Sequence, residues 1–432
     1  MHLAQRAYVL LAFTAVLAIA AIWSPEPMIA GLWRWPAMLL LGGVALEAAA
    51  SGRRSWHLDV AARPRAFLGS PLRVWLVLRN DSASALTIEC LVLLPSGFDG
   101  PRQARRLRAV AHAETREVLT LLPMRLGAQR WPGARMRALG RFGLIWWSRE
   151  QSLERSIVVA PDIASPLDAA PHRLASGARP WRGGGAGSEL RQLRTYVAGD
   201  PLSRIDWKAT ARARHLISRE LSEDQHLDVL VAIDAGRASR IRIGRIDRLG
   251  LYANVAARFA ETATRNDDRV GLLVFCDRPL AVCAPQRGRP AVLGMRRTLE
   301  QLAPRHAESD PLDAAIKARR LLKHRSLIVL LTDLEDPAAA DSLLRAARVL
   351  TPPHLVVVAG IESAELAAAA AAGGEEGSDP WVVLAAREQR DRARRRCALL
   401  ARAGVPALLA PHEELGERVL AQYERLRRAR RV

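Results

Sequence analysis

Between positions 194 and 220 the chain sets three carboxylates, Asp200, Asp206 and Glu220, among arginines that include Arg194, Arg204, Arg212 and Arg219. Arginine and carboxylate meet through two-pronged, charge-assisted hydrogen bonds, so this mixture fixes a geometry rather than a diffuse charge. Trp207 stands between Asp206 and Lys208. Its setting predicts a buried plug that locks the segment onto a neighbouring domain; the competing role is a partner hot spot, where Trp and Arg are enriched. Asp206 and Lys208 are of types that move protons, but no third group that would orient them is identifiable, so no catalytic constellation is read here.

Two further aspartates, Asp234 and Asp333, close the apolar runs L-D-V-L-V-A-I and L-I-V-L-L-T. In an open parallel sheet, sites lie beyond the carboxyl ends of the strands, which brings both side chains to one crevice. Hard oxygen ligands of this kind suit Mg2+. The glycine run from Gly183 to Gly187 has the composition of a phosphate cradle, yet Ser188-Glu189 follows where a nucleotide loop needs G-K-[ST]. The four cysteines (Cys90, Cys276, Cys283, Cys397) have neither metal spacing nor the pattern of a disulfide framework. The ten histidines are scattered, with no H-E-x-x-H.

The elements that must hold these residues are spread over 432 residues, too many for one ordinary core. Lysine and arginine number 64 against 44 acidic residues, a formal charge of +20. The excess is spread along the chain without an aromatic-basic ladder, which argues against nucleic acid and for membrane proximity plus compositional bias. Residues 1–56 are expected to form a transmembrane helical hairpin. Ala7 to Trp23 carries no charge and is stopped by Ser24-Pro25-Glu26-Pro27; a second apolar stretch runs from Met28 to Ala50 with Arg34 and Glu47 near its ends. Both lie near the lower length limit for a hydrocarbon core of ~30 Å. Arg6 precedes the first, and Arg53, Arg54, Arg63 and Arg65 follow the second, which places both flanks in the cytoplasm. A cleaved signal peptide is the competing reading, opposed by the second apolar stretch.

Residues 57–165 change to short β-rich runs punctuated by turns, such as Leu72 to Leu78, Leu86 to Leu94 and Ser156 to Ala160, and predict a small β-sandwich. Residues 166–226 form a proline- and glycine-rich linker followed by the charged segment. Residues 227–432 alternate apolar strands with helical stretches, predicting a doubly wound α/β sheet. Strands are expected at Leu227 to Ile233, Val270 to Phe275, Leu280 to Ala284, Leu327 to Leu331, Leu355 to Ala359, Val382 to Leu384 and Ala407 to Leu409.

The run G-S-E-L-R-Q-L-R-T-Y-V-A-G-D-P-L-S-R-I-D-W-K-A-T-A-R, with L-I-S-R-E at Leu216 to Glu220, resembles the signature of the bacterial family called domain of unknown function 58. The matching positions include Gly187, Ser188, Glu189, Leu193, Arg194, Tyr196, Gly199, Asp200, Arg204, Ile205, Asp206, Trp207, Lys208, Ala211, Arg212, Leu216, Arg219 and Glu220; Leu190 stands where an aromatic residue is common. The resemblance implies two N-terminal spans, a β-rich middle and a von Willebrand factor A-like C-terminal domain. It also implies a non-enzymatic scaffold that works with a MoxR-type AAA+ ATPase and other proteins in assembly or maturation. That scaffold would sit in the inner (cytoplasmic) membrane as a multi-pass protein, with its soluble domains in the cytoplasm and the signature segment as interaction motif. Von Willebrand A-type domains hold Mg2+ with a D-x-S-x-S loop, a threonine from a second loop and an aspartate from a third. Here the loop reads Asp234-Ala235-Gly236-Arg237-Ala238, so both serines are replaced; the second-loop position falls near Ser309 or Asp310, and Arg237 brings positive charge close. The resemblance therefore implies a degenerate metal site at Asp234 and Asp333. A Mg2+-dependent adhesin or enzyme using this pair is the alternative function.

Overall fold

The computed structural model describes residues 2–23, 31–51, 55–162, 189–222, 227–336, 340–372 and 379–429. Helix α1 (Gln5–Ile22) is, among the described residues, the one helix long and apolar enough to cross a membrane. Its eighteen residues rise about 27 Å at ~1.5 Å each. Helix α2 (Arg34–Ser51) packs against it. It starts later than the apolar stretch that begins at Met28, and positions 24–30 lie outside the described residues.

The end of α2 is a docking point. Glu47 is buried, and its carboxylate accepts hydrogen bonds from the backbone N–H groups of Phe142 (2.9 Å), Gly143 (3.2 Å) and Leu144 (3.2 Å). Gly140 permits this approach, because a Cβ there would lie 1.8 Å from Glu47 Oε1. A Cβ on Gly43 would likewise lie 2.7 Å from Leu144 Cδ1. At the other end of the hairpin, β1 (His2–Leu3) pairs antiparallel with β11 (Ile145–Gln151), and Ala4 N–H donates to Leu144 O at 2.7 Å. Both helices are thus pinned to one turn, with Ala7, Leu144 and Ile145 buried between them.

The β-rich region is a sandwich. One sheet holds β2 (Trp56–Ala61), β4 (Leu72–Asn80), β8 (Ala113–Pro123) and β6 (Phe98–Asp99), adjacent in that order. The facing sheet holds β1, β11, β10 (Gly133–Leu139), β5 (Leu86–Leu93) and β7 (Arg105–Ala109). A three-stranded sheet adds β3 (Arg65–Phe67), β12 (Ser156–Ala160) and β9 (Gly127–Arg130). The cause is strict alternation: Leu72, Val74, Leu76 and Leu78 are buried while Arg73, Trp75 and Arg79 face out, as one-sided burial of an antiparallel sheet requires. The turn after β4 is organised by buried Asn80, whose Nδ2 donates to Ser84 O and Val110 O, both at 2.9 Å.

Next come a two-stranded ribbon, β13 (Glu189–Thr195) and β14 (Ile217–Ser222), and between its strands the short helix α3 (Trp207–Ala213). The last unit is a six-stranded sheet. In order it holds β19 (Pro279–Gln286), β18 (Arg269–Phe275), β15 (Asp228–Asp234), β20 (Leu327–Leu331), β21 (Leu355–Ile361) and β22 (Ala407–Ala410). Every pair is parallel except β18 with β19. Side chains of β15 alternate between faces. Val229, Val231 and Ile233 pack with α4 (Arg248–Arg265), α5 (Gly288–Leu299) and α10 (His412–Ala429). Leu230 and Ala232 pack with α6 (Pro311–Leu321), α7 (Ala340–Leu350) and α9 (Pro380–Arg402). Helix α8 (Ala364–Ala371) precedes α9, and a small ribbon, β16 (Arg242–Ile243) with β17 (Ile246–Asp247), precedes α4. The sheet is doubly wound, and its switch point lies between β15 and β20.

One expected strand is a helix. Val382 to Leu384 belongs to the first turn of α9, capped by Asp379, whose carboxylate accepts from Trp381 N–H at 3.0 Å, with Pro380 at the first helical position. Val383 and Ala386 are buried while Trp381, Val382 and Leu384 are exposed, a spacing of three that no strand gives. The glycine run at 183–187 and the low-complexity residues 373–377 lie outside the described residues. Sandwich and α/β sheet share one continuous core, reinforced by Arg245–Asp99 (3.0 Å) and by Arg296 over the Phe67 ring (5.4 Å to its centroid).

Candidate functional site

The charged segment folds into the β13–β14 ribbon, with Leu193 opposite Arg219, Arg194 opposite Ser218 and Gln192 opposite Glu220. Arg194 Nη2 pairs with Asp200 Oδ1 at 2.7 Å. Asp200 Oδ2 also accepts from Val197 N–H (3.2 Å), and Tyr196 Oη donates to Asp200 O (3.3 Å). These bonds close a tight turn in which Gly199 takes a φ of +111°, a region that disfavours residues with a Cβ. The Arg194 hydrogen bond, then the Val197 N–H, hold the Asp200 carboxyl below its ordinary pKa. Asp206 has a structural task here. It caps α3 by accepting from Ala209 N–H at 2.9 Å. Thr210 Oγ1 accepts from Ile217 N–H (3.0 Å), tying α3 to β14.

Trp207 is not the buried plug its neighbours suggested. It is 67% exposed, and Leu193, Val197, Leu202 and Leu216 are exposed with it. Lys208, Arg212 and Arg219 are exposed and Arg204 half-buried. The side chain of Glu220 lies outside the described residues. The principal packing of the ribbon is internal, strand on strand, with α3 against β14. Ile205 is its single buried apolar side chain among the described residues.

The second set of candidates converges at the switch point. Asp234 ends β15 and is 2% exposed. Its Oδ1 accepts from Gly236 N–H (2.8 Å) and from Ser309 Oγ, and its Oδ2 accepts from Thr332 Oγ1 (2.7 Å). Of the two candidates Ser309 and Asp310, Ser309 is the one that meets Asp234, whereas Asp310 caps α6 through Leu312 N–H (3.0 Å). Gly236 is set by close approach: a Cβ there would lie 2.1 Å from Ser309 Oγ. Burial pushes the Asp234 carboxyl up, against the lowering effect of its three donors.

Arg237 does not enter the crevice. Its Nε pairs with Glu308 at 2.7 Å on the surface. The cation that does enter is Arg248, the first residue of α4. It is 2% exposed and pairs with Asp333 and, at 3.6 Å, with Glu335. Burial opposes its charge, but Tyr252, Asp333 and Glu335 outweigh that and raise its pKa. Asp333 also accepts from Glu335 N–H at 2.8 Å, and Tyr252 Oη donates to Thr332 O at 2.8 Å. Reading the sequence missed Arg248 and Glu335. The available signal was a cation on the first turn of a helix, where the macrodipole favours anions. The residues present do not fit Mg2+, because a dication at Asp333 would face a buried guanidinium and both D-x-S-x-S hydroxyls are absent.

A mixed α/β chain with one apolar N-terminal helix and an exposed charged ribbon is what the fold defines. The family described as protein of unknown function DUF58 matches residues 192–398, from the ribbon to the end of α9. Uncharacterized protein Rv1480 of Mycobacterium tuberculosis and uncharacterized protein Mb1516 of Mycobacterium bovis are each 25% identical over 175 residues, 40% of this chain. The chain spans about half the length of these curated relatives (54%). Among solved structures, conserved hypothetical protein BatB from Bacteroides thetaiotaomicron matches with 14% identity and a TM-score of 0.31, over 47% of this chain and 99% of that one. Proximal thread matrix protein 1 from the mussel byssus, with a zinc-occupied MIDAS motif, matches with 14% identity and a TM-score of 0.24, over 32% of this chain and 36% of that one.

Proposed function

We propose that the protein is a membrane-anchored, non-enzymatic scaffold that presents the β13–β14 ribbon to a MoxR-type AAA+ ATPase during assembly or maturation of protein complexes. In this reading α1 and α2 form a multi-pass anchor in the inner membrane, with both flanks in the cytoplasm. The C-terminal sheet is a von Willebrand factor A-like domain. The observation that carries the reading is the exposure of Trp207 among Val197, Leu202 and Leu216 on a ribbon with almost no core of its own. An isolated two-stranded ribbon is marginal in water, and a large exposed aromatic beside arginines is the composition of an interface centre.

The test is capture of the ATPase by the full chain, solubilised in detergent. Trp207→Ala and Arg204→Ala are expected to abolish capture while leaving the thermal midpoint unchanged. Recovery of the ATPase by both variants at the wild-type level, or its absence from every preparation, refutes the reading. Fusion of cytoplasmic and periplasmic reporters after Val432 tests the orientation.

A further inference from the structure

We propose that Arg248 is the resident cation of the switch-point crevice. Its guanidinium balances Asp333 and Glu335 in the place where von Willebrand A-type domains use a divalent ion, so this crevice is closed and stable without metal. The inference rests on the von Willebrand A-like reading of the C-terminal sheet and is independent of the scaffold role.

Three observations carry it. First, Arg248 is 2% exposed, and a guanidinium is buried to that degree only where carboxylates compensate it. Its two compensating carboxylates come from the loop after β20: Nη1 is ion-paired with Asp333, and Nη2 lies 3.6 Å from Glu335. Second, the residue sits on the first turn of α4, where the helix macrodipole repels a cation. The dipole argues against arginine there, which leaves the acidic pair as the reason for it. Third, the rest of the site has been rebuilt around a closed state. Asp234 is held by three protein donors, one of them Ser309, and Gly236 is the residue that lets Ser309 approach. Tyr252, one helical turn beyond Arg248, fastens α4 to the same loop through Thr332 O. A carboxylate from a partner therefore finds no metal to complete at this point, and Arg248 is too deeply buried to take its place.

The test uses Mn2+ as an EPR-visible probe, with Mg2+ in parallel melts, on the full chain in detergent. Wild type is expected to bind no more Mn2+ at 1 mM than Asp333→Asn does, and to melt at the same temperature with and without 10 mM Mg2+. Arg248→Met is expected to gain one bound Mn2+, lost again in Arg248→Met/Asp333→Asn, and a Mg2+-dependent rise of about 5 °C in its midpoint. Arg248→Lys keeps one buried charge and should stay indifferent to metal. One Mn2+ bound by wild type and lost in Asp333→Asn overturns the proposal, as does a folded Arg248→Met that gains none. If Arg248→Met does not fold in either condition, the wild-type comparison alone decides.

Discussion

Glu47 gives the sharpest quantitative test, because its removal leaves specific donors without an acceptor. Its carboxylate serves three backbone N–H groups, of which those of Gly143 and Leu144 are buried and that of Phe142 partly so. Gly143 N–H also reaches Gly140 O at 3.1 Å, so it keeps an acceptor when the carboxylate is removed. Each buried donor left unpaired costs ~1–3 kcal/mol, and water reaching the Phe142 group recovers most of its share. Glu47→Ala is therefore expected to loosen the turn by about 2 kcal/mol, roughly 30-fold in the local opening equilibrium. Hydrogen exchange of the full chain in detergent reads this directly. The Leu144 amide should lose about thirtyfold of its protection, while those of β5 stay as they are. Glu47→Gln adds a pattern. Its amide oxygen can still serve Phe142 and Gly143, but an NH2 then faces Leu144 N–H, so Leu144 should lose the most protection. Exchange at 144 within threefold of wild type in Glu47→Ala would refute the docking role of this carboxylate.

Asp268 is fully buried, where it accepts from Leu227 N–H (3.0 Å) and Tyr423 Oη and pairs with Arg427 Nε (3.2 Å). Asp268→Ala should cost ~2–4 kcal/mol in urea unfolding and loosen α10, since it leaves Leu227 N–H and Tyr423 Oη without this acceptor and removes the ion pair of half-buried Arg427. The folded Asp234 carboxyl is raised above its unfolded value, so the native state keeps the proton longer and stability falls as pH climbs from about 4 through the folded pKa. Asp234→Asn should flatten that part of the decline in urea midpoints measured from pH 4 to 8, and an unaltered slope counts against the burial argument. Gly236→Ser should destabilise by ~1–3 kcal/mol through the clash with Ser309, and adding Ser309→Ala should recover most of it. A double variant as unstable as the single one rules out close approach as the reason for the glycine. Trp207→Ala should change the unfolding free energy by less than ~0.5 kcal/mol, because the side chain is largely exposed.

Local pattern carried the elements whose identity is set within a few residues of themselves. Val329 and its neighbours in β20 read as a strand from composition alone, and the Asp at each strand end located the crevice through the geometry of parallel sheets. The misreading at Val382 has a plain cause: two valines suggested a strand, although Asp379-Pro380 ahead of them is a helix start signal. Pairings across long separations escaped entirely. Arg248 meets Asp333 eighty-five residues on, and Glu47 meets a turn more than ninety residues on. Neither partner is visible to a window of local sequence. The charged segment lay between these limits. Pairing between its arginines and carboxylates was legible as a class, and Arg194 with Asp200 is one such pair, but the exposure of Trp207 depends on what the ribbon fails to touch.

The placement of β1 sets an order of events during synthesis. Residues 2–3 form the edge strand of a sheet whose neighbouring strand begins at Ile145, so they leave the ribosome long before their partner exists. At a few to tens of residues per second, that interval lasts on the order of 10 s. Throughout it α1 is free to commit to a lipid or aqueous environment while the sandwich is unfinished. The five-stranded sheet can add β1 at this edge only once β11 has been made. A bulky fusion directly ahead of His2 would occupy that edge and delay closure without touching any residue of the later domains.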